Sequence, residues 1–357
     1  MSTDHEKPIS FAIVGCGHIG KRHAEMVRRN PHARLAGLCD VRPKETLNLN
    51  DDETPFFSDI EEMLKALPDV DVVNICTPNG LHADQAFIAL QYNKHVVCEK
   101  PMGLSAAKCE RVLSTALTKS RQVFCVMQNR YSPPSVWIKD VVEQGLLGDI
   151  YLVQLNCYWN RDERYYLPNG KQGWKGRKDL DGGTLYTQFS HFIDIMYWLF
   201  GDITDIRGTF ADFTHSGTTD FEDSGAISFQ FLNGGMGSLN YSTAVWDANF
   251  ESSITIIGSK GTVKLGGQYM GNVDYCHIEN YTMPKLDAPL PANDYGTYKG
   301  SAANHHFVID NVIDTLRGKT SATTNALEGL KVVDIIERIY NLRDQVFTKR
   351  KEIQHAK

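Results

Sequence analysis

Short apolar runs alternate with helix-forming stretches through the first third of the chain. The candidate strands are Ile9–Val14, Ala33–Cys39, Pro55–Phe57, Val70–Cys76, His95–Cys98 and Val123–Met127. The candidate helices between them are Lys21–Arg29, a helix that ends at Ala66 with Ser58 and Glu61 as a capping box, His82–Leu90 and Ala106–Ser120. Continuous apolar strands separated by helices are typical of a parallel sheet with both faces covered. We therefore predict a doubly wound α/β domain over residues 1–127.

The pattern changes near Gln128, where strands follow one another closely. The candidates are Ile150–Asn160, Ile206–Asp212, Ala226–Phe231, Gly237–Ala244, Ser253–Ile257 and Gly261–Leu265. Helices are predicted at Ser135–Gln144, Gly183–Phe200 and Asn304–Arg317, and a last one begins at Asn325 with Glu328 as its capping partner. Closely spaced strands favour an antiparallel sheet, here with helices on one face. Residues 128–357 are thus predicted to form an α+β domain.

The first strand, Ile9–Val14, runs into a glycine motif. Gly15 permits a tight turn, Gly17 lets a pyrophosphate approach the backbone, and Gly20 allows close packing of helix on strand. Asp40 closes the second strand, twenty residues after Gly20, where a carboxylate accepts hydrogen bonds from ribose hydroxyls and repels a 2′-phosphate. A plain glycine turn and a solvated aspartate are the alternatives. The combination predicts a Rossmann domain that binds NAD in preference to NADP.

The composition and net charge of the chain argue against several classes of function. Apolar residues make up 42% and charged residues 22% of the 357, an ordinary globular balance, and the net charge of −6 argues against nucleic-acid binding. No apolar stretch approaches the length of a membrane span, and the first residues carry no apolar signal segment. The eight cysteines form no Cys-x-x-Cys pair. We expect reduced thiols in a cytoplasmic protein with neither disulfides nor a metal site.

Three segments fall at the carboxyl ends of the predicted parallel strands, where ligands bind in such sheets: Gly15–Gly20, Thr77–His82 and Glu99–Pro101. Lys100 is placed there and is followed by the stiff ring of Pro101. A nearby nicotinamide cation would lower the pKa of this lysine, which would let it transfer protons near neutral pH. The alternative is a solvated surface lysine.

A second constellation lies in the predicted helix that follows Gly182 and Gly183. Its polar residues recur at helical spacing and would share one face: Thr184, Thr187, Gln188 and His191. With a reference pKa of ~6.5, His191 is suited to act as an acid or a base. The alternative is a hydrogen-bonded core histidine.

The segment between Asn160 and Asp181 combines positive charge with aromatic rings. Its members are Arg161, Arg164, Tyr165, Tyr166, Lys171, Trp174, Lys175, Arg177 and Lys178. In an acidic protein this excess suggests an anionic ligand. Arg161, Tyr166 and Trp174 are the candidates for orienting a sugar or nucleotide, whereas Lys171, Lys175 and Lys178 are interpreted as solvated.

Together these motifs resemble the glucose–fructose oxidoreductase / inositol dehydrogenase family. The matching marks are Gly15-x-Gly17-x-x-Gly20, Thr77–Pro78–Asn79-x-x-His82, Glu99–Lys100–Pro101, and Gly182–Gly183 followed by His191-x-x-Asp194. The resemblance implies a second domain with an open, mostly antiparallel sheet, homodimers or homotetramers, and NAD(P)-dependent oxidation or reduction of a sugar or polyol carbon. It also implies that Lys100 and His191 meet at the reacting carbon as catalytic residues.

The likeness is strongest to the branch that oxidises the 3″-hydroxyl of a UDP-N-acetylglucosaminuronate-type nucleotide sugar in surface-polysaccharide synthesis. The residues that carry it include Gln128–Arg130, Tyr158–Arg161, Tyr165–Tyr166, Gly173–Gly176, Asp181–Gly183, Ser253–Gly258, His305 and Asp310–Asn311. The chain departs from the family at Thr187, where Asp or Asn is usual, and in a longer loop at Leu167–Gln172.

The motifs and the resemblance yield two sets of expected binding residues. The cofactor set is Gly15, Cys16, Gly17, His18, Ile19, Gly20, Asp40, Thr77, Pro78, Asn79, His82, Glu99, Lys100, Gln128 and Trp174. The substrate set is Lys100, Arg161, Tyr166, Thr187, Gln188, His191 and His305. A dehydrogenase for inositol or a free hexose, and a non-catalytic NAD-sensing regulator, remain as alternatives.

Overall fold

The computed structural model describes residues 7–49, 52–294 and 299–355, which fall into two compact units. The first unit comprises the chain up to Met127 together with His305–Val333. The second comprises Gln128–Asn304 together with the chain from Asp334 onward. We expected all of 128–357 in one domain, so the return of His305–Val333 to the first unit is a difference from that expectation.

The first unit is built on a six-stranded parallel sheet in the order β3-β2-β1-β4-β5-β6. The strands are β1 (Ile9–Val14), β2 (Ala33–Cys39), β3 (Phe56–Phe57), β4 (Val72–Ile75), β5 (His95–Cys98) and β6 (Val123–Cys125). The central strands β1 and β4 are almost wholly buried, as their mostly apolar sequences predict. The predicted doubly wound α/β domain is confirmed. Strand order reverses between β1 and β4, the place where such sheets bind ligands.

The second unit is built on a seven-stranded sheet in the order β13-β12-β11-β7-β10-β9-β8. The strands are β7 (Ile150–Tyr158), β8 (Ile203–Ala211), β9 (Ser224–Phe231), β10 (Met236–Ser242), β11 (Glu251–Gly258), β12 (Gly261–Gly266) and β13 (Asn272–Ile278). Its pairs are antiparallel except β7 with β10, which is parallel. A short hairpin of β14 (Ala292–Asp294) and β15 (Lys299–Ala302) follows. The predicted, mostly antiparallel sheet is confirmed.

The α-helices of the described residues are α1 (His18–Arg29), α2 (Ile60–Ala66), α3 (His82–Gln91), α4 (Ala106–Thr118), α5 (Pro133–Glu143), α6 (Glu163–Tyr166), α7 (Ser190–Phe200), α8 (His305–Leu316) and α9 (Ala326–His355). No helix of that part of the chain combines the length and apolarity needed to cross a bilayer. All eight cysteines are free thiols, and Cys276 alone among them is not buried.

Local capping follows the sequence in one case and departs from it in another. At α9 the Asn325 N–H donates to the Glu328 carboxylate, and the Asn325 side chain accepts from the Glu328 N–H, so this capping box is confirmed. The box predicted at Ser58 is wrong. Because α2 begins at Ile60, the N-cap position falls on Asp59, whose carboxylate accepts from two N–H groups of the first turn.

Candidate functional site

The glycine turn of the first unit has the shape that a diphosphate needs. Gly15 has a φ of +89°, and a Cβ there would lie 2.7 Å from the main chain of Cys76. A Cβ on Gly20 would lie 1.8 Å from the Gly15 carbonyl oxygen. A Cβ on Gly17 would have one neighbour within 4 Å, the Arg42 guanidinium at 3.9 Å. The turn is therefore closed towards the protein at Gly15 and Gly20 and open to a ligand at Gly17.

Helix α1 points its N-terminus at this opening. Its N-cap is Gly17, which has no side chain to cap the first turn, so the N–H groups and positive dipole end of α1 are suited to phosphate oxygens. His18 is exposed and Ile19 half-buried at the same turn. The thiol of Cys16 is buried, and burial raises its pKa to about 12, which makes it unreactive. These features fit a bound dinucleotide.

Asp40 is a buried carboxylate with two protein partners. It accepts hydrogen bonds from the N–H of Cys16 at 2.8 Å and from the N–H of Arg42 at 2.9 Å. The Arg42 guanidinium adds two further bonds, at 3.0 and 2.9 Å. Burial raises the pKa of Asp40, but these donors outweigh it and hold the pKa below its ordinary value. Arg42 lies two residues after Asp40 and was missed in the sequence, although an arginine there can bear on the choice between NAD and NADP.

The loop after β4 and the segment after β5 are joined by His82. Its Nε2 lies 2.7 Å from the Thr77 carbonyl oxygen, and its Nδ1 lies 2.7 Å from the Pro101 carbonyl oxygen. Burial lowers the pKa of His82, and the two carbonyls oppose that shift. Thr77 and Pro78 are half-buried, while Asn79 is buried. His82 thus spans two strand-end segments of the predicted cofactor site.

Glu99 faces the interior. Its Oε1 accepts from Nε2 of His23 at 2.9 Å and lies 3.6 Å from Nε2 of His305, and all three side chains are buried. Their possible ligand atoms lie within 4.8 Å of one another, but the 2.9 Å contact is a hydrogen-bond length. Glu99 and His23 are therefore hydrogen-bonded, and His305 lies beside them with neither ring nitrogen in a hydrogen bond. His305 was expected among the substrate-binding residues of the second domain; the structure places it in the first unit, at the start of α8.

Lys100 follows Glu99 and is half-buried. Its N–H donates to the Glu99 Oε2 at 3.1 Å, and its peptide bond to Pro101 is cis. The main chain of Lys100 is therefore held by the carboxylate that the two histidines face.

In the second unit the predicted helix Gly183–Phe200 begins irregularly. Leu185–Phe189 form a π-helical turn, and only from Ser190 is the helix regular α7. Such turns are frequent at functional sites. His191 is buried in the first turn of α7, and Asp194 one turn later forms a bidentate ion pair with Arg130 at 2.7 and 2.8 Å.

The polar residues of this turn have different hydrogen-bond partners. The Thr184 hydroxyl donates to the Glu222 carbonyl oxygen. The Thr187 hydroxyl donates to the Asp181 carboxylate, which also accepts from the Gly176 N–H at 2.8 Å. Burial raises the pKa of Asp181 to about 6. A buried carboxylate with a raised pKa therefore adjoins Thr187.

Gln188 ties Arg161 to Tyr165. It accepts from Arg161 Nε at 2.7 Å and donates to the Tyr165 hydroxyl at 2.9 Å. The Arg161 guanidinium is buried and lies over the rings of Trp159 and Tyr165. Tyr166 is fully buried beside Tyr165 and Phe221. Arg161 and Tyr166 thus lie inside the unit rather than on a loop surface.

Lys175 corrects the expectation of a solvated lysine. Its ammonium lies 3.7 Å from the Tyr165 ring centroid, and burial, aided by Arg161, lowers its pKa to about 8. Lys171 and Lys178 are exposed, as expected. The charge pattern of the segment did not distinguish Lys175 from Lys171 and Lys178. The aromatic ring of Tyr165, earlier in the same segment, was the available sign of a partner for Lys175.

Gln128 and Trp174, expected at the cofactor, belong to the second unit. Gln128 is buried, and its carbonyl oxygen accepts from the Asn304 side chain at 3.2 Å. Trp174 is half-buried in the segment before Gly176.

Two family models match the chain. The oxidoreductase family model with an NAD-binding Rossmann fold matches residues 9–127, and the GFO/IDH/MocA C-terminal domain model matches residues 136–264. Among curated proteins, the inositol 2-dehydrogenase of Rhizobium meliloti is 24% identical over 284 residues, covering 78% of this chain and 82% of that protein.

Two solved structures cover almost the whole chain. One is the WlbA dehydrogenase of Bordetella pertussis in complex with NADH and UDP-GlcNAcA, which is 31% identical with a TM-score of 0.81 and covers 95% of this chain and 98% of its own. The other is WlbA of Chromobacterium violaceum with the same two ligands, which is 28% identical with a TM-score of 0.82 and covers 97% and 96%.

Proposed function

The chain belongs to the GFO/IDH/MocA family of NAD-binding oxidoreductases, and from that premise we propose that it oxidises a ring hydroxyl of a UDP-N-acetylglucosaminuronate-like nucleotide sugar, at C3 of the sugar. The observation that carries the proposal is the similarity over 95% of the chain to a dehydrogenase that was crystallised with NADH and UDP-GlcNAcA. The positive charge between Arg161 and Lys178 supports it, because such a substrate carries a diphosphate and a carboxylate.

Residues of the first unit would hold NAD. The open backbone at Gly17 and the glycine-capped N-terminus of α1 suit its diphosphate, and the Asp40 carboxylate suits its adenosine ribose. NAD+ supplies the hydride acceptor when bound.

Proton handling falls to Lys100 and His191 in this proposal. One removes the proton of the reacting hydroxyl, and the other donates a hydrogen bond to the oxygen as it becomes a carbonyl. The anchored main chain of Lys100 and the burial of His191 in the first turn of α7 support a fixed orientation for each.

The test is NADH formation from NAD+ with UDP-N-acetylglucosaminuronate, compared with myo-inositol and free glucose. We expect turnover of the UDP-sugar alone, and a loss of ~10² to 10⁴-fold in kcat for Lys100→Met and for His191→Asn. Lys171→Met and His32→Asn, at exposed positions, are the matched controls. Equal or better turnover of myo-inositol would favour the inositol dehydrogenase alternative. No turnover with any of the three substrates would contradict the proposal.

A further inference from the structure

A buried cluster of one carboxylate and two imidazoles lies beneath Lys100 in the first unit. Glu99 follows β5, His23 comes from α1, and His305 opens α8, more than two hundred residues further along the chain. The exposed fraction is 6% for Glu99, 1% for His23 and 3% for His305. The rings of His23 and His305 meet edge to face, with centroids 5.7 Å apart.

The two carboxylate oxygens of Glu99 have different partners. Oε1 faces the imidazoles, at 2.9 Å from His23 Nε2 and 3.6 Å from His305 Nε2. Oε2 accepts the main-chain N–H of Lys100 at 3.1 Å. The side chain therefore links the two histidines to the backbone of the proposed catalytic lysine.

Further hydrogen bonds fix His23 and the helix that carries His305. Nδ1 of His23 lies 2.9 Å from the side-chain amide of Asn74, in the strand beside β5. Helix α8, which carries His305, is joined to the end of α1 by a 2.7 Å hydrogen bond from Asn30 to Asp310. The orientation of Glu99 is thus set by α1, β4 and α8 together.

Electrostatic interactions with the two histidines explain why the Glu99 carboxylate is stable in the interior. An ionised carboxylate in a dry interior is costly unless donors surround it. Burial raises the pKa of Glu99, but hydrogen bonding and electrostatic attraction from the two imidazoles outweigh burial and hold that pKa well below its ordinary value. The imidazoles keep an anion in place behind Lys100.

We propose that His305 and His23 are positioning residues for the oxidation, which act through Glu99 by fixing the main chain of Lys100. This inference rests on the proposed function, in which Lys100 handles the hydroxyl proton. It gives His305 a role in the first unit in place of the substrate contact expected from the sequence, and it accounts for the return of the chain to that unit.

Hydrogen exchange tests the link without any substrate. Exchange at the Lys100 amide, followed by NMR or on a peptide that spans residues 95–103, should become at least tenfold faster in His305→Leu. His305→Gln, whose amide can donate to Glu99, should restore most of the protection. His306→Leu is the control, since the neighbouring His306 stacks on Phe307 instead. Unchanged exchange in a folded His305→Leu protein would overturn the proposal.

Kinetics supplies the second readout. With UDP-N-acetylglucosaminuronate and NAD+, we expect kcat of His305→Leu to fall by ~10 to 100-fold, because a small displacement of a catalytic group is costly, while both KM values stay within threefold. His305→Gln should recover most of kcat. A rise in the KM of the sugar as large as the fall in kcat would mean that His305 contacts the substrate, and it would overturn the positioning role. One equivalent of zinc in the purified protein that is lost in His305→Leu would also overturn it. Full activity of Lys100→Met would refute the catalytic role that the proposed function gives to Lys100, no turnover in the wild type would refute the proposed function itself, and the exchange result would still decide whether the cluster holds Lys100.

Discussion

The α-carbon of Gly183 lies against the phenol ring of Tyr340. A Cβ built on Gly183 would stand 2.6 Å from the Tyr340 hydroxyl oxygen and 2.9 Å from two ring carbons. That same hydroxyl accepts the N–H of Leu185 at 2.7 Å, at the first residue of the π-helical turn. The contact therefore sets where the turn that leads to His191 begins.

Gly183→Ala is expected to destabilise the protein and to lower kcat. The φ of +136° is a strained value for alanine, and the methyl group collides with a buried ring, so we expect a loss of about 2 to 4 kcal/mol in the free energy of unfolding. Urea denaturation measures it. Gly217→Ala is the control, because Gly217 also has a positive φ (+83°) but has nothing within 4 Å of its Cβ position. Equal losses in the two variants would show that the Tyr340 contact is unimportant.

Asp40→Ala is expected to relax the preference for NAD. The variant loses the carboxylate that repels a 2′-phosphate and releases the Arg42 guanidinium, which now forms two hydrogen bonds with Asp40. We expect the ratio of kcat/KM for NAD to that for NADP to fall by at least ~10-fold, about the effect of one charged contact. Asp40→Ala/Arg42→Ala should lose the gain with NADP. An unchanged ratio in Asp40→Ala would contradict the role of this carboxylate.

The parallel sheet was predictable because both of its faces are covered. Buried strands then appear as nearly continuous apolar runs, and β1 and β2 begin and end where the sequence indicates. Strand β13 was missed for the opposite reason. It is an edge strand of the second sheet and mostly exposed, so its sequence, Asn272–Ile278, mixes polar and apolar residues without a clear alternation.

The candidate site was predictable where a motif reports backbone geometry, as at Gly15 and Gly20. It was not predictable where the partner lies far along the chain. The pairing of Glu99 with His305 depends on the packing of α8 in the first unit, which no local pattern encodes. The π-helical turn after Gly183 has no compositional signature, so a regular helix was expected there.

Asp181→Asn is expected to change how stability depends on pH. The pKa of Asp181 is raised by burial to about 6 in the folded protein, whereas in an unfolded chain it has its ordinary value near 3.8. Folding therefore favours the protonated carboxyl. Its contribution is fully present below about pH 4 and is lost as the pH rises through 6.

The free energy of unfolding of the wild type minus that of Asp181→Asn should accordingly fall by up to about 3 kcal/mol between pH 4 and pH 7, since one pKa unit corresponds to about 1.4 kcal/mol. Urea denaturation of both proteins at pH 4, 5, 6 and 7 gives this difference. Asp179→Asn, an exposed aspartate two residues away, is the control for a general charge effect. A difference that stays constant across this range would show that Asp181 does not titrate within it.

Asp194→Asn is expected to cost about 3 to 5 kcal/mol of stability, because it leaves the Arg130 guanidinium charged and buried without its anion. Replacing both members, as in Arg130→Met/Asp194→Leu, should cost less than the sum of the single changes, since no charge is then left uncompensated. Asp314→Asn, in the exposed pair with Lys319, should cost under about 1 kcal/mol. A double-mutant cycle by urea denaturation measures the coupling. Additive losses would mean that the pair anchors α7 through the packing of its separate side chains and not through the ion pair.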